Sequence, residues 1–172
     1  MNARTAVVVG NPQPGSRTLH AARHVARELT GRDADLTVDL AELGVRLLDG
    51  DDEEVRRLVA EVGDADLVVV ASPTYKATYT GLLKLFLDRF AGGTGLTGAA
   101  VPLMLGGGPT HALAPELFLR PLLTELGAVV PVRGLYVLDT RHDRPEAYAD
   151  WLATARPVLQ HVLTPPLLEG VS

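Results

Sequence analysis

Val7-Val8-Val9-Gly10-Asn11-Pro12-Gln13-Pro14-Gly15-Ser16-Arg17-Thr18, with a helical pattern directly behind it, reads as a buried strand, a tight polar loop and the start of a helix. The segment from Arg4 to Val9 is short, mostly apolar and β-branched, which suits a strand covered on both faces. Gly10 and Asn11 let the backbone turn sharply as it leaves the strand. Pro12 and Pro14 stiffen the loop, and Gly15 permits a close approach to the backbone. Ser16, Arg17 and Thr18 then place hydroxyls and a guanidinium at a helix N-terminus, where unpaired N–H groups and the positive end of the dipole favour an anion. A phosphate cradle is one reading. An ordinary βα loop with Ser16 or Thr18 as N-cap is the other.

The spacing Gly10-x-x-x-x-Gly15 approaches that of a nucleoside-triphosphate loop, but Ser16 stands where that motif needs Lys. The later apolar run Asp66 to Ala71 ends in Ser72-Pro73, with no Asp to help hold magnesium. A Gly-x-Gly-x-x-Gly fingerprint is also missing from this stretch. A phosphate bound here therefore belongs to something other than a nucleoside triphosphate or a Rossmann-bound dinucleotide.

Composition narrows the field further. A chain of 172 residues, 47% of them hydrophobic and 5% aromatic, is long enough for one domain with a core of Leu, Val and Ala. Sixteen Lys and Arg against 21 Asp and Glu give a formal charge of −5, which argues against a general nucleic-acid binder. With no cysteine, disulfides, thiolate metal sites and thiol catalysis are excluded. Neither a signal-peptide core nor a membrane-length apolar run is visible, so no membrane association and a cytoplasmic location are expected.

Outward from the opening stretch, strands and helices alternate. Thr18 to about Thr30 has a helical apolar face. His20 and His24, four apart on the opposite face, lack the Glu and third ligand of a zinc site and read as an exposed face. Leu36 to Leu40 is a strand. Asp51-Asp52-Glu53-Glu54 reads as a solvated cap of a helix over 55–62 rather than a metal site. Asp66 to Ala71 is a second buried strand, followed by Ser72-Pro73-Thr74-Tyr75-Lys76-Ala77-Thr78-Tyr79-Thr80-Gly81, more polar loop than a turn requires. The helix from about Thr80 to Phe90 is apolar almost all round, which predicts burial against the sheet on one side and a second subunit on the other. Ala100 to Leu105 is a strand ending in Gly106-Gly107-Gly108. Residues 112–126 form a helix with Pro115 in its first turn and a bend at Pro121. Leu135 to Leu138 closes the strands, and Pro145 to about Leu163 is the last helix, with Trp151 against the sheet. Residues 164–172 form a loose tail.

This alternation implies an α/β fold: a three-layer sandwich, with a five-stranded parallel sheet in the flavodoxin-like order 2-1-3-4-5 and helices on both faces. The loops after strands one, three and four then converge at one crevice. One offers phosphate ligands, one Tyr and backbone groups, and one bare glycine backbone, which together suit a planar cofactor with a phosphate tail such as FMN.

At these motifs the chain resembles the NAD(P)H-dependent FMN reductases, above all the flavin reductases of two-component sulfonate monooxygenases. The similar segments are Gly10-Asn11-Pro12 through Thr18, Ser72 through Lys84, Gly106-Gly107 through Leu113, Arg120 to Leu123 and Leu126 to Ala128. The resemblance implies FMN as flavin and NAD(P)H as co-substrate. Ser16, Arg17 and Thr18 would hold the phosphate. Pro73, Thr74, Tyr75 and Lys76 would line the isoalloxazine edge, and Gly106 and Gly107 would let the backbone approach the ring from the fourth strand. Asn11, Pro12 and His111 would be further cofactor-binding residues. It also implies a homodimer or homotetramer and a flavin-dependent monooxygenase as partner. Some sulfonate-linked members carry a Tyr associated with a π-bulge in the helix after the third loop, whereas here that stretch reads Pro115-Glu116-Leu117-Phe118.

The expected reaction is hydride transfer from nicotinamide C4 to flavin N5, for which no side chain need act as acid or base. Lys76 either steers the anionic dinucleotide or is a solvated lysine. Two alternatives stand beside this reading. One is a tight-binding FMN enzyme reducing quinones or azo dyes. The other is a non-enzymatic flavodoxin-like electron carrier.

Overall fold

The structure, a computed structural model, describes residues 3–164. The rest of the tail expected to be loose, residues 165–172, lies outside the described residues. Five strands, β1 Thr5–Val9, β2 Leu36–Asp39, β3 Leu67–Pro73, β4 Ala99–Gly106 and β5 Leu135–Leu138, form one sheet. All neighbours are parallel and the order is β2-β1-β3-β4-β5, as expected from the alternation of elements. Val7, Val9, Val69, Ala71, Val101 and Leu103 face a core built with α1 Arg17–Thr30 and α6 Ala149–Leu163. Val8, Val68, Val70, Ala100 and Met104 face the other core, built with α2 Leu40–Leu43, α3 Glu53–Gly63, α4 Gly81–Leu87 and α5 Arg120–Glu125. Burial on both faces explains why these strands read as continuous apolar runs rather than alternating ones. Trp151 packs against the first of these cores and donates its indole N–H to Arg133 O at 2.6 Å.

Pro102 lies inside β4, where a missing N–H ordinarily breaks the ladder. Ala100 N donates to Val129 O, on the side of β4 where β5 lies. Residue 102 faces the same way, since side preference repeats every second residue. The β4–β5 register begins only at Leu103↔Leu135. Pro102 therefore occupies the gap between the bridge to Val129 and the start of the ladder, where no donor is needed.

Asp52 accepts from Val55 N at 2.9 Å and caps α3, the role expected of the acidic run. Lys84 and Asp88 pair across one turn. The all-round apolar pattern of residues 80–90 has a different outcome. Leu83, Phe86, Leu87 and Phe90 are all buried within the chain itself, because α4 is wedged between the sheet and the segment around α2. Of its large side chains Leu85 is the most exposed, at 39%. More exposed apolar side chains lie elsewhere, among them Val45 and Leu48 after α2 and a cluster of Leu113, Leu117 and Phe118.

Those residues belong to a second departure from expectation. Residues 112–126 are not one bent α-helix. Pro115–Leu119 is π-helical, with Arg120 N–H reaching back five residues to Pro115 O, and regular α-helix follows from Arg120. Two features accommodate the wider turn. Pro121 has no N–H to give to the preceding carbonyls. Glu116 and Arg120, themselves an ion pair at 3.6 Å, both engage the segment leading to β5. Glu116 accepts from Gly134 N, while Arg120 Nη1 donates to Val130 O at 3.0 Å and Val132 O at 2.9 Å. The π-turn forms here without the Tyr that accompanies it in some sulfonate-linked reductases.

Candidate functional site

Chain leaves β1 at Gly10, whose N–H donates to Ala71 O at 2.8 Å and whose carbonyl accepts from the Thr80 hydroxyl. Thr80 is also the N-cap of α4, accepting from Leu83 N at 3.1 Å, and its own N–H donates to Ser72 Oγ at 3.0 Å. One threonine thus ties the first loop to both ends of the second. In the first loop Asn11 Oδ1 accepts from Gln13 N at 2.9 Å and Asn11 Nδ2 donates to Thr18 Oγ1 at 3.0 Å. Asp39, at the end of β2, accepts from Gly15 N at 3.0 Å and holds the glycine-containing turn from behind. Gly15 has φ +64°, a conformation that favours glycine.

Ser16 is the N-cap of α1 and accepts from Leu19 N at 3.2 Å. The capping role and the phosphate role are compatible, since the hydroxyl hydrogen remains available to donate. Among the described residues the N–H groups of Arg17 and Thr18 have no acceptor, and the Arg17 guanidinium has no ion pair or hydrogen bond. Donors of this kind at the start of a 14-residue helix fit a phosphate.

The same end of the sheet carries the second loop. Tyr75 and Thr78 bond to each other in both directions, at 2.9 and 3.2 Å, enclosing Lys76 and Ala77 in a two-residue turn. Both central residues have positive φ, 52° and 72°. Turns of that kind normally carry Asn-Gly, so Lys-Ala is strained here. Installing Lys76→Asn together with Ala77→Gly is expected to stabilise the chain by about 1 kcal/mol, the left-handed strain relieved less the entropy of the new glycine. That corresponds to a melting temperature about 2–4 °C higher in a scanning experiment.

Asn11, Gln13, Gly15, Ser16 and Arg17 share one groove of about 470 Å³ with Pro73 and Tyr75, whose side chain is 53% exposed. Pro12, Thr18, Thr74 and Lys76 stand beside this groove in the same loops rather than on its wall. Thr74 N donates to Leu105 O at 2.6 Å, which brings the second loop against the fourth strand. Gly106 lies there with no room for a side chain: a Cβ would meet Tyr136 Oη at 2.0 Å and Thr74 Cβ at 3.4 Å. Tyr136 donates to Gly108 O at 2.7 Å, and burial raises its hydroxyl above the usual phenol range. The Thr74 hydroxyl lies near that phenol yet is buried without a bond of good geometry among the described residues. Gly107 is open on its α-carbon side, and His111 ends a short 3-10 turn, exposed and outside the groove.

Three groove residues, His20, Asp139 and His142, escape the sequence reading. His20 lies on an exposed helix face, as its spacing predicts, and one turn beyond Ser16, so it flanks the start of α1. Asp139 and His142 follow β5. The signal for them was present, because Asp139-Thr140-Arg141-His142-Asp143-Arg144 is a polar run at the C-terminal end of a parallel strand, where such sheets bind ligands.

Comparison with known proteins agrees with this geometry. Residues 3–143 match the family described as NADPH-dependent FMN reductase. An FMN reductase (NADPH) of Escherichia coli (strain K12) is 27% identical over 151 residues, covering 83% of this chain and 79% of that protein. An NADH-dependent FMN reductase SfnF of Pseudomonas putida is 33% identical over 142 residues, covering 77% and 76%. The apo form of an NADH:FMN oxidoreductase (EMOB) has a TM-score of 0.81 at 26% identity, over 94% of this chain and 89% of that one. A family match over most of the described residues, a flavodoxin-like strand order and a groove shared by the loop after β1 and Tyr75 lead to one conclusion: the chain belongs to the NADPH-dependent FMN reductase family.

Proposed function

We propose that this chain reduces FMN with a reduced nicotinamide dinucleotide, holding the flavin phosphate at Ser16, Arg17 and Thr18 and the ring beside Pro73, Thr74 and Tyr75. The observation that carries the reading is the single groove joining the unpaired donors at the start of α1 to Pro73 and Tyr75. Bound FMN supplies N5 as hydride acceptor. The chain's part is to bind and orient. The α1 terminus and Arg17 anchor the dianion, Asn11 and Asp39 hold the loop in shape, and the open backbone at Gly107 leaves room for the ring edge. No carboxylate or imidazole is assigned a proton-transfer role.

An assay of NADH and NADPH oxidation with FMN, riboflavin and no flavin tests the reading. Oxidation dependent on added FMN is expected. Absence of oxidation with either nicotinamide would point instead to an electron carrier. Flavin that co-elutes on gel filtration, with ping-pong kinetics, would mark a tightly bound prosthetic group.

Replacing Tyr75 with alanine is expected to weaken FMN binding several-fold to about tenfold, the worth of one aromatic contact, with no change in melting temperature. The exposure of Tyr75 is the reason its loss should leave the fold alone. Unchanged affinity and unchanged turnover would remove it from the site.

The chain is also proposed to act as a homodimer or homotetramer in the cytoplasm, releasing reduced flavin to a monooxygenase. Leu113, Leu117 and Phe118 support assembly, being 52%, 61% and 41% exposed on and beside the π-turn. Light scattering at micromolar concentration should give a mass at least twice 18.3 kDa, and Leu117→Asp should shift it towards the monomer. A wild-type mass of one chain would defeat this. Among the described residues no helix is long and apolar enough to cross a membrane.

A further inference from the structure

A second cavity, of about 230 Å³, opens beside the phosphate end of the groove. His20, His24, His142, Asp143, Pro145 and Tyr148 line it, and His20 and His142 line both spaces. The two therefore adjoin at this pair of imidazoles. Ser16, His20 and His24 follow one another at four-residue spacing along α1, so a ligand leaving the phosphate loop is guided along one face of the helix. From Ser16 to His24 the helix advances about 12 Å, a length that a second phosphate and a ribose can span.

The walls are flat rings more than charges. The His20 and His142 rings lie 6.2 Å apart at 23°, nearly parallel. His24 meets the edge of Tyr148, with centroids 4.5 Å apart. The remaining wall groups are held in place by the chain. Tyr148 is buried, its hydroxyl pushed up to about 12 by that burial, and it donates to His142 O at 2.6 Å. His142 Nδ1 lies 2.9 Å from Asp139 O. Such a pocket suits a planar heteroaromatic ring better than a second anion, since Asp143 is its carboxylate and the cavity has no Arg or Lys on its wall.

We propose that this cavity is an adenylate subsite, so that the chain binds FAD by extending it from the FMN position, with the adenine among His20, His24 and His142. The inference rests on the placement of the flavin phosphate at Ser16 to Thr18. Removing the His24 ring on which a purine would stack should cost FAD about tenfold in affinity, in the range of one base–aromatic stack, while FMN, which ends at the phosphate, should not change.

The test is a titration of the wild-type chain, His24→Ala and His24→Trp with riboflavin, FMN and FAD, followed by flavin fluorescence. His24 is half-buried and lies outside the FMN groove, and circular dichroism on each variant checks the fold. FAD affinity should be at least equal to that of FMN in the wild type. It should fall about tenfold in His24→Ala, where the stacking ring is lost, and at least as much in His24→Trp, where the cavity is filled. ADP should displace FAD but leave riboflavin bound. Equal losses for FMN and FAD, or no loss of FAD in either variant, would overturn the subsite. An unchanged FAD affinity with a raised KM for NADH or NADPH would assign the cavity to the nicotinamide dinucleotide and overturn it as well. FMN binding no better than riboflavin would instead count against the phosphate placement, which the riboflavin–FMN pair reads separately from the FMN–FAD pair.

Discussion

Arg17→Ala is expected to weaken FMN binding about ten- to over a hundredfold and to leave riboflavin binding nearly unchanged. Arg17 is the first residue of α1, exposed, and among the described residues its guanidinium has no partner in the chain. Its removal therefore breaks nothing in the fold. It does remove a charge-assisted hydrogen bond to a dianion, worth roughly 1.5–3 kcal/mol. Asp39 and Asp139, near the same loop, make the guanidinium the more necessary, since both carry charge of the phosphate's own sign. Parallel titrations with FMN and riboflavin read the effect. A common loss for the two flavins would mean that Arg17 supports the ring site or the loop. No loss for either would leave phosphate binding to the backbone N–H groups and hydroxyls alone.

Gly10→Ala should destabilise the chain by about 3 kcal/mol and lower the melting temperature by about 6–12 °C. A Cβ at residue 10 would lie 2.3 Å from Leu83 Cβ and 2.9 Å from Leu83 Cα, and Leu83 is fully buried in α4. No rotamer change relieves a clash with Cα and Cβ, so α4 must move away from β1. That movement strains the Thr80 hydroxyl's bond to Gly10 O, and with it the link between the loop after β1 and the Tyr75 loop. FMN affinity should fall in the same variant even where it remains folded. Gly81→Ala is the control. It sits at the first position of the same helix with nothing within 4 Å of a Cβ, so its melting temperature should hold or rise. A Gly10→Ala protein as stable as the wild type would mean that the close approach of α4 to the loop does not persist in solution.

Gly10 shows why part of this site was readable in the amino acids and part was not. A glycine after an apolar run announces a turn whatever surrounds it, because the freedom of its backbone is local. That the same glycine is needed for the closeness of Leu83, 73 positions later, depends on the packing angle of α4 and leaves no trace nearby. The aromatic, Lys-containing loop 72–81 was visible as an excess of polar residues, yet its two-residue turn with positive φ at Lys76 and Ala77 was not, because neither residue favours that conformation alone. The π-turn at Pro115–Leu119 was similarly hidden. It depends on Glu116 and Arg120 reaching segment 130–134, a contact that helical periodicity cannot express. The apolar count of residues 80–90 pointed outward to a second subunit, whereas the chain's own α2 region covers most of it.

By itself, then, the order of residues determined the parallel sheet and its strand order, since buried strands alternating with amphipathic helices allow few other connections. It also determined the donor-rich start of α1, where Ser16, Arg17 and Thr18 are adjacent in the chain and are set by local backbone geometry. Only the tertiary structure decided which distant groups meet there. His142 and Asp139, brought round by β5, close the groove, Asp39 supports it from β2, and the π-turn exposes Leu117 and Phe118. The division follows from range. Capping, turning and periodicity act over a few residues and can be read from neighbours, but shape complementarity between elements far apart in the chain exists only once the sheet has set their spacing.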